Sequence, residues 1–232
     1  MSGITVTEQS RPVSTQDTAR TATLADISPY SIAHPIGYET AKRALDYVGA
    51  LAGLLIVLPI CTVIAILVKL DSRGPILFRQ KRPGKDGRPF TILKFRTMRK
   101  DAEEKLAQVT DIHDTEDPLI RVEADPRVTR LGRLLRMTSI DELPQLINVL
   151  RGEMSLVGPR PISRPIHDPR DPLRLKVRPG ITGLWQISGR KNGNTDFMLG
   201  RDMAYLQRRS LSFDLLLLLK TVKAVMKADG AR

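Results

Sequence analysis

Residues 47–68 carry no charge and are dominated by Leu, Ile, Val, Ala and Gly, a run about as long as the roughly 20 residues that cross the hydrocarbon core of a bilayer as a helix. This stretch reads as membrane-embedded, and the rest of the chain must be something that attaches to it. Lys42 and Arg43 precede it and Lys69 and Arg73 follow it, so the asymmetry of basic residues that orients a simple span is absent. Pro59 lies near its middle, where it removes a backbone donor and strains the preceding turn. Basic residues at both ends and a central break describe a helix that enters and leaves by one face; a transmembrane anchor with a tolerated proline kink is the other reading.

Three segments follow: a tail over residues 1–40, a membrane helix over 41–70 broken at Pro59, and a domain over 71–232. The tail is rich in Ser, Thr, Gln and Pro and lacks both periodicity and an apolar stretch, which reads as a flexible segment and not a cleaved signal peptide. With 41% hydrophobic residues in 232, a real core is available. The 37 Lys and Arg against 25 Asp and Glu, a formal charge of +12, call for an anionic partner: nucleic acid, an acidic membrane surface or a phosphorylated substrate. Aromatic residues at 4% argue against a stacking platform for single strands. Cys61 stands alone, excluding an intrachain disulfide and a cysteine-rich metal site, and His34, His113 and His167 are scattered singly.

Residues 76–80 and 90–95 alternate as short strands around the turn-rich 83–87, which predicts a β-hairpin. Arg79, Lys81, Arg82, Lys85, Arg88, Lys94 and Arg96 crowd it, in place to meet lipid phosphates at about 1 kcal/mol each. Residues 101–108 read as a solvated helical turn and 113–117 as an acidic loop. Asp125-Pro126 is a helix-start signal, followed by Arg127, Arg130, Arg133 and Arg136 opposite an apolar side of Val128, Leu131, Leu134 and Leu135. Such a helix suits a membrane interface or the flank of a core.

Next come adjacent carboxylates, Asp141 and Glu142. Leu143, Leu146, Ile147 and Leu150 recur at helical spacing before Gly152, placing the pair at a helix N-terminus with Pro144 in the first turn and Ser139 and Glu142 in capping-box spacing. Taken alone, an acidic first turn is an ordinary cap. The spacing aims Arg136 at the same pocket. Gly158-Pro159-Arg160-Pro161 holds one arginine between prolines, a preset backbone suited to bidentate phosphate recognition. The glycine-rich loop 178–190 has Arg178 and Arg190 at its ends, suiting an anionic ligand, with Trp185 inside as a stacking, interfacial or core residue. A polar helix about residues 201–209, a Ser212-Phe213-Asp214 cap and a leucine helix over 215–226 backed by Lys220, Lys223 and Lys227 complete the chain. The last helix is too short to span and either lies on the membrane or closes the core. Neither an internal repeat nor a P-loop is present.

In this order, the apolar run with Pro59, Lys94-Phe95-Arg96-Thr97-Met98, Asp125-Pro126-Arg127, residues 139–145, residues 158–161 and residues 178–190 resemble the bacterial sugar transferases. More narrowly, residues 40–227 resemble the small monotopic polyprenyl-phosphate phosphoglycosyl transferases that initiate exopolysaccharide and glycoconjugate assembly. The resemblance implies an α+β fold: a mainly helical cytosolic domain with a small β-hairpin, attached by a re-entrant or kinked transmembrane helix and by interfacial amphipathic helices. It implies transfer of a sugar phosphate from a UDP-sugar to a polyprenyl phosphate with release of UMP, on the cytosolic face of a bacterial inner membrane. Asp141 is then the nucleophile and Glu142 the Mg²⁺ ligand, and Arg136, Arg160, Pro161, Arg178 and Arg190 bind substrate. Downstream glycosyltransferases would extend the product. Two departures stand out. Leu58 precedes Pro59 where the family has serine, leaving Thr62 as the substitute hydroxyl, and Pro165, Pro169 and Pro172 forbid a continuous helix between Pro161 and Arg178. A nucleic-acid binder, favoured by charge alone, lacks a reading module; a non-enzymatic basic membrane adaptor would leave Asp141 and Glu142 as caps.

Overall fold

The computed structural model describes residues 37–99, 125–162, 168, 170–188 and 194–226. Residues 1–36 of the expected tail, residues 101–108 and 113–117, Pro165, Pro169, Arg190 and Lys227 lie outside them; the end of the expected tail, residues 38–40, is instead the first turn of the long helix, which starts before the expected residue 41. The apolar run forms most of α1 (Tyr38–Asp71), one helix with Pro59 inside. Pro59 has no N–H to donate to the carbonyl of Leu55. Thr62 Oγ1 donates instead to Leu58 O at 2.9 Å, a back-bond of the kind that bends helices; the freed carbonyl itself is not its partner. Most of the lipid-like side chains stay uncovered, Ile56 at 78% and Leu70 at 77% exposure among them, and α1 is the one helix among the described residues long and apolar enough to cross a membrane.

Both halves of α1 nevertheless pack on the same domain. Ala50, Leu54 and Val57 join Leu146, Val149, Met154, Leu156 and Leu217 in the main core. Ile64 and Val68 join Phe95 and Leu135 in a second cluster, flanked by Cys61 and Ala65. Arg96 closes the C-terminal end, its Nη2 donating to Val68 O at 3.2 Å and Ser72 Oγ at 3.0 Å.

The expected hairpin forms from β1 (Leu77–Pro83) and β2 (Pro89–Phe95), antiparallel with Phe78 opposite Lys94 and Arg82 opposite Phe90. Its turn passes through Asp86 and Gly87 at φ 55° and 73°, the left-handed region that Gly accepts and Asp tolerates. Arg79, Lys81 and Arg88 are exposed, whereas Lys94 and Arg82 are half-buried and Arg96 is buried. The inward cations are therefore part of the protein interior and not of a lipid-facing surface.

The next helix, α2 (Arg130–Thr138), starts later than the Asp125-Pro126 signal predicts. Thr129 is its cap, with Oγ1 accepting from Gly132 N at 2.9 Å. Asp125 instead folds back on Arg127, whose Nη2 donates to Oδ2 at 2.7 Å; the side chain that could have capped is spent on a two-residue ion pair. A Cβ on Gly132 would lie 2.0 Å from Thr97 O, so only glycine lets α2 approach the end of β2 this closely.

Beyond α3 (Gln145–Leu150), β3 (Ser155–Val157) pairs in parallel with β4 (Gly180–Thr182), a sheet that three-residue strands hide from any periodicity argument. Short α4 (Asp171–Arg174) and α5 (Leu184–Ile187) flank β4, and α6 (Thr195–Arg208) and α7 (Leu211–Met226) close the core. Trp185 is a core residue, packed with Ile162, Met198 and Leu199. Neither Ser212 nor Asp214 caps α7: Ser210 Oγ accepts from Phe213 N at 3.2 Å. Asp214, fully buried, accepts from Tyr205 OH at 2.9 Å and Tyr38 OH at 3.1 Å, with Lys42 Nζ 3.0 Å away. Asp46 accepts from Ser155 Oγ and Leu156 N, each at 2.9 Å. This polar lock ties the first turns of α1 to β3 and α7.

Candidate active site

The chain leaves α2 through Ser139 at φ 57°, a conformation that costs a non-glycine residue about 1 kcal/mol or more and is held only by its surroundings. Ser139 is thus the turn between α2 and a single 3₁₀ turn, Ile140–Glu142, and its side chain makes no cap bond. Asp141 and Glu142 belong to that turn, ahead of α3, and do not open the long helix that the spacing predicts. The reason is Pro144, which cannot donate an i→i−4 bond, so the segment tightens to i→i−3 bonds from Glu142 N to Ser139 O and Leu143 N to Ile140 O, each 3.1 Å.

The buried side chain of Asn148 fixes α3 to the hairpin. Its Oδ1 accepts from Leu93 N at 3.0 Å and its Nδ2 donates to Thr91 O at 2.7 Å and Glu153 Oε2 at 2.6 Å. One amide thereby satisfies the free edge of β2, and Lys94 is carried to the carboxylates. Lys94 Nζ donates to Glu142 Oε1 at 2.9 Å. Arg160 Nη2 donates to the same oxygen at 2.9 Å, with Nη1 3.5 Å from Oε2.

The two carboxylates, both buried, therefore differ. Glu142 is gripped by two cations. Asp141 has no hydrogen bond to its carboxylate among the described residues, and burial and the charge of Glu142 push its pKa above the usual carboxylate range. Lys94, Arg160 and Arg136 pull the other way. Arg136 stands on α2 with its Nε on Thr97 Oγ1 at 2.9 Å, close enough to Asp141 to be felt electrostatically.

Arg160 owes its position to Arg174, which sequence reasoning did not single out. Arg174 is 3% exposed; its Nη2 donates to Arg160 O at 2.7 Å, its Nη1 to Asp171 Oδ1 at 2.9 Å and its Nε to Asp202 Oδ2 at 2.7 Å. Prolines on both sides of Arg160 remove backbone freedom, and Arg174 ties down the carbonyl between them. Asp171, Arg174 and Pro161 also line a cavity of about 270 Å³, walled mainly by Pro83, Leu175 and Val177. Arg178 turns elsewhere, its Nε donating to Gly152 O at 2.9 Å in the neighbourhood of Arg43, Glu39 and Asp46. The structure thus gathers Asp141, Glu142, Arg136 and Arg160, adds Lys94, and leaves Arg178 apart; Arg190 lies outside the described residues.

Burial pushes Asp202 up to about 6 against the pull of Arg174. Relative to an unfolded value of about 4, the folded state holds the proton more tightly. This contribution to stability is therefore fully present below pH 4 and lost as pH rises to about 6. The thermal midpoint of the wild type should fall across that window more steeply than that of Asp202→Asn; equal slopes would remove Asp202 as the group responsible.

A family model described as bacterial sugar transferase matches residues 37–228. The chain belongs to the bacterial sugar transferase family. The transferase is 43% identical over 200 residues to the galactosyl transferase CpsE of Streptococcus agalactiae, an alignment covering 83% of this chain and 43% of that one. It is 38% identical over 225 residues to the exopolysaccharide production protein ExoY of Rhizobium meliloti, covering 91% and 99%. To the UDP-glucose:undecaprenyl-phosphate glucose-1-phosphate transferase of Caulobacter vibrioides it is 42% identical over 210 residues, covering 84% and 73%. It thus spans less than half of CpsE and nearly all of ExoY. Lys94, Asp141, Glu142, Arg160 and Arg174 all lie within the matched region of the transferase.

Proposed function

We propose that the transferase is a phosphoglycosyl transferase that moves a sugar 1-phosphate from a UDP-sugar to undecaprenyl phosphate or a similar polyprenyl phosphate. The products are UMP and a polyprenyl diphosphosugar, the first step of an exopolysaccharide or glycoconjugate. The observation that carries the mechanism is the unlike state of the two carboxylates. Asp141, buried and without a hydrogen bond to its carboxylate among the described residues, is an activated nucleophile, since desolvation and a neighbouring negative charge raise its basicity. Its carboxylate attacks the sugar-bearing phosphorus; the bond from that phosphorus to the bridging oxygen breaks, and UMP leaves with the electron pair. A phosphate oxygen of the polyprenyl acceptor then attacks the resulting acyl phosphate and releases Asp141. Lys94, Arg160 and Arg136 supply fixed positive charge to the phosphoryl oxygens throughout.

The donor set suits Mg²⁺, a hard cation usually held by one or two carboxylates together with substrate phosphates. Glu142 would hold it with the donor diphosphate, exchanging part of its contact with Lys94 or Arg160. Bound there, the ion neutralises phosphate charge and lets an anionic nucleophile approach.

The membrane arrangement we propose is supported by α1. A straight helix of 34 residues is about 50 Å long and exceeds the roughly 30 Å hydrocarbon core, yet both its halves pack on one domain. Crossing would pull one packed half through the bilayer. A helix bent near Pro59 and dipping into one leaflet keeps both, and its exposed apolar side chains meet acyl chains. The exposed Leu134 and Met137 of α2 and Leu215, Leu216 and Leu219 of α7 then lie at the interface with anionic lipids, and the domain faces the cytosol at the inner membrane, where UDP-sugars are available.

Detergent-solubilised protein supplied with undecaprenyl phosphate, Mg²⁺ and a panel of UDP-sugars should release UMP with one or a few donors. Silence across the panel from folded, lipid-bound protein would favour the membrane-adaptor reading.

A further inference from the structure

The mechanism above leaves the inward cation Arg82 unused. Arg82 sits on β1 opposite Phe90, on the hairpin face that also carries Lys94 opposite Phe78, about 13 Å further along at roughly 3.3 Å per residue. Its one hydrogen bond among the described residues is to a neutral group, Nη2 donating to Gln80 Oε1 at 2.6 Å. Its Nε is buried with no partner. The charges that act on it are Arg160, which repels it, and Glu142, whose Oε1 is already shared by Lys94 and Arg160. A half-buried guanidinium without a carboxylate of its own, beside a second arginine, is costly unless an anion meets it.

Two further observations say which anion. Pro83 and Arg160 line the same 270 Å³ cavity, so the backbone on either side of this arginine pair reaches from the carboxylates to an apolar-walled recess. Lys94 lies near the hairpin end that packs on α1, through Phe95 and Leu77, whereas Arg82 lies near the turn, which is tied to the other side of the domain by Asp86 N to Leu175 O at 2.6 Å. With α1 in the bilayer, as proposed above, a lipid phosphate would approach along α1 and a water-soluble nucleotide from the turn.

We propose that Arg82 is a further substrate-binding residue that, with Arg160, holds the nucleoside-bearing phosphate of the donor. When the bond from the sugar-bearing phosphorus to the bridging oxygen breaks, the electron pair stays on that oxygen, and Arg82 stabilises the phosphate dianion of the departing nucleotide. The assignment rests on the reading of the transferase as a UDP-sugar phosphotransferase.

The test measures binding of UMP and of undecaprenyl phosphate to the full chain in nanodiscs by calorimetry, for wild type, Arg82→Gln and Arg82→Lys. Loss of a charge-assisted hydrogen bond should weaken UMP binding about 10- to 100-fold in Arg82→Gln, with undecaprenyl phosphate binding within about twofold of wild type. Arg82→Lys, which keeps the charge and loses the fork, should fall between and raise KM for the donor without moving the thermal midpoint. UMP binding unchanged in Arg82→Gln would overturn the assignment, as would loss of undecaprenyl phosphate binding in place of UMP binding. Wild type that binds neither UMP nor any UDP-sugar would instead defeat the underlying reading. If Arg82→Gln does not fold, Arg82→Lys decides alone: an unchanged donor KM and UMP affinity overturn the proposal.

Discussion

Asp141→Asn should yield a folded protein that captures no phosphosugar. The amide matches the carboxylate in shape and fits the 3₁₀ turn Ile140–Glu142, and among the described residues the Asp141 side chain has no hydrogen bond to lose. It also removes one of two adjacent negative charges, so the thermal midpoint should hold or rise. What it removes is the lone pair that attacks phosphorus. Loss of a covalent nucleophile typically costs on the order of 10⁴- to 10⁶-fold in turnover. The direct readout is intact mass of protein quenched after brief exposure to the UDP-sugar: wild type should show the phosphosugar adduct and the variant only unmodified chain. An adduct on the variant, or turnover within tenfold of wild type, would remove Asp141 as nucleophile.

The second large effect is on stability. Asp214→Ala should destabilise the protein by about 3–5 kcal/mol, the range for removing one partner of a buried ion pair. Asp214 is fully buried, and its loss strands Lys42 Nζ, 3.0 Å away, and takes one acceptor from each of the hydroxyls of Tyr38 and Tyr205, the latter keeping Val157 O at 3.1 Å. Among the described residues Lys42 would retain Asp46 at 3.5 Å. Chemical denaturation in a fixed detergent measures the cost, and the double variant Lys42→Met with Asp214→Ala should recover part of it, because no buried charge is then left unpaired. A single-variant cost below about 1 kcal/mol would show that the lock contributes little.

The hairpin, the rigid Gly158–Pro161 segment and the apolar run were legible because each is a local matter: alternation, turn residues and hydropathy act over a few residues. The same local logic misplaced helix starts. Asp125 carries the right chemistry for a cap, but Arg127 competes for its carboxylate, and Thr129 takes the role. Asp214 likewise looks like a cap until the packing of α1 buries it. The carboxylate pair drew notice as a pair, yet nothing in its spacing distinguished one member from the other. Lys94 was counted among a row of hairpin cations. Its place in the strand alternation was a usable signal, since Phe90, Ile92 and Lys94 share a face and two of the three are buried. Asn148, a polar residue on an otherwise apolar helix face, was a second.

By itself, then, the sequence determined that this chain has one long apolar helix, a basic hairpin, an acidic dyad and a proline-locked arginine, all properties of short stretches of chain. Only the tertiary structure decided that Glu142 is held by Lys94 and Arg160 while Asp141 has no hydrogen bond to its carboxylate among the described residues, that Arg174 anchors Arg160, and that Arg178 points away. Those pairings join residues as far as 48 apart. Their distances depend on how α3, the hairpin and α1 pack around one core, which no local pattern encodes.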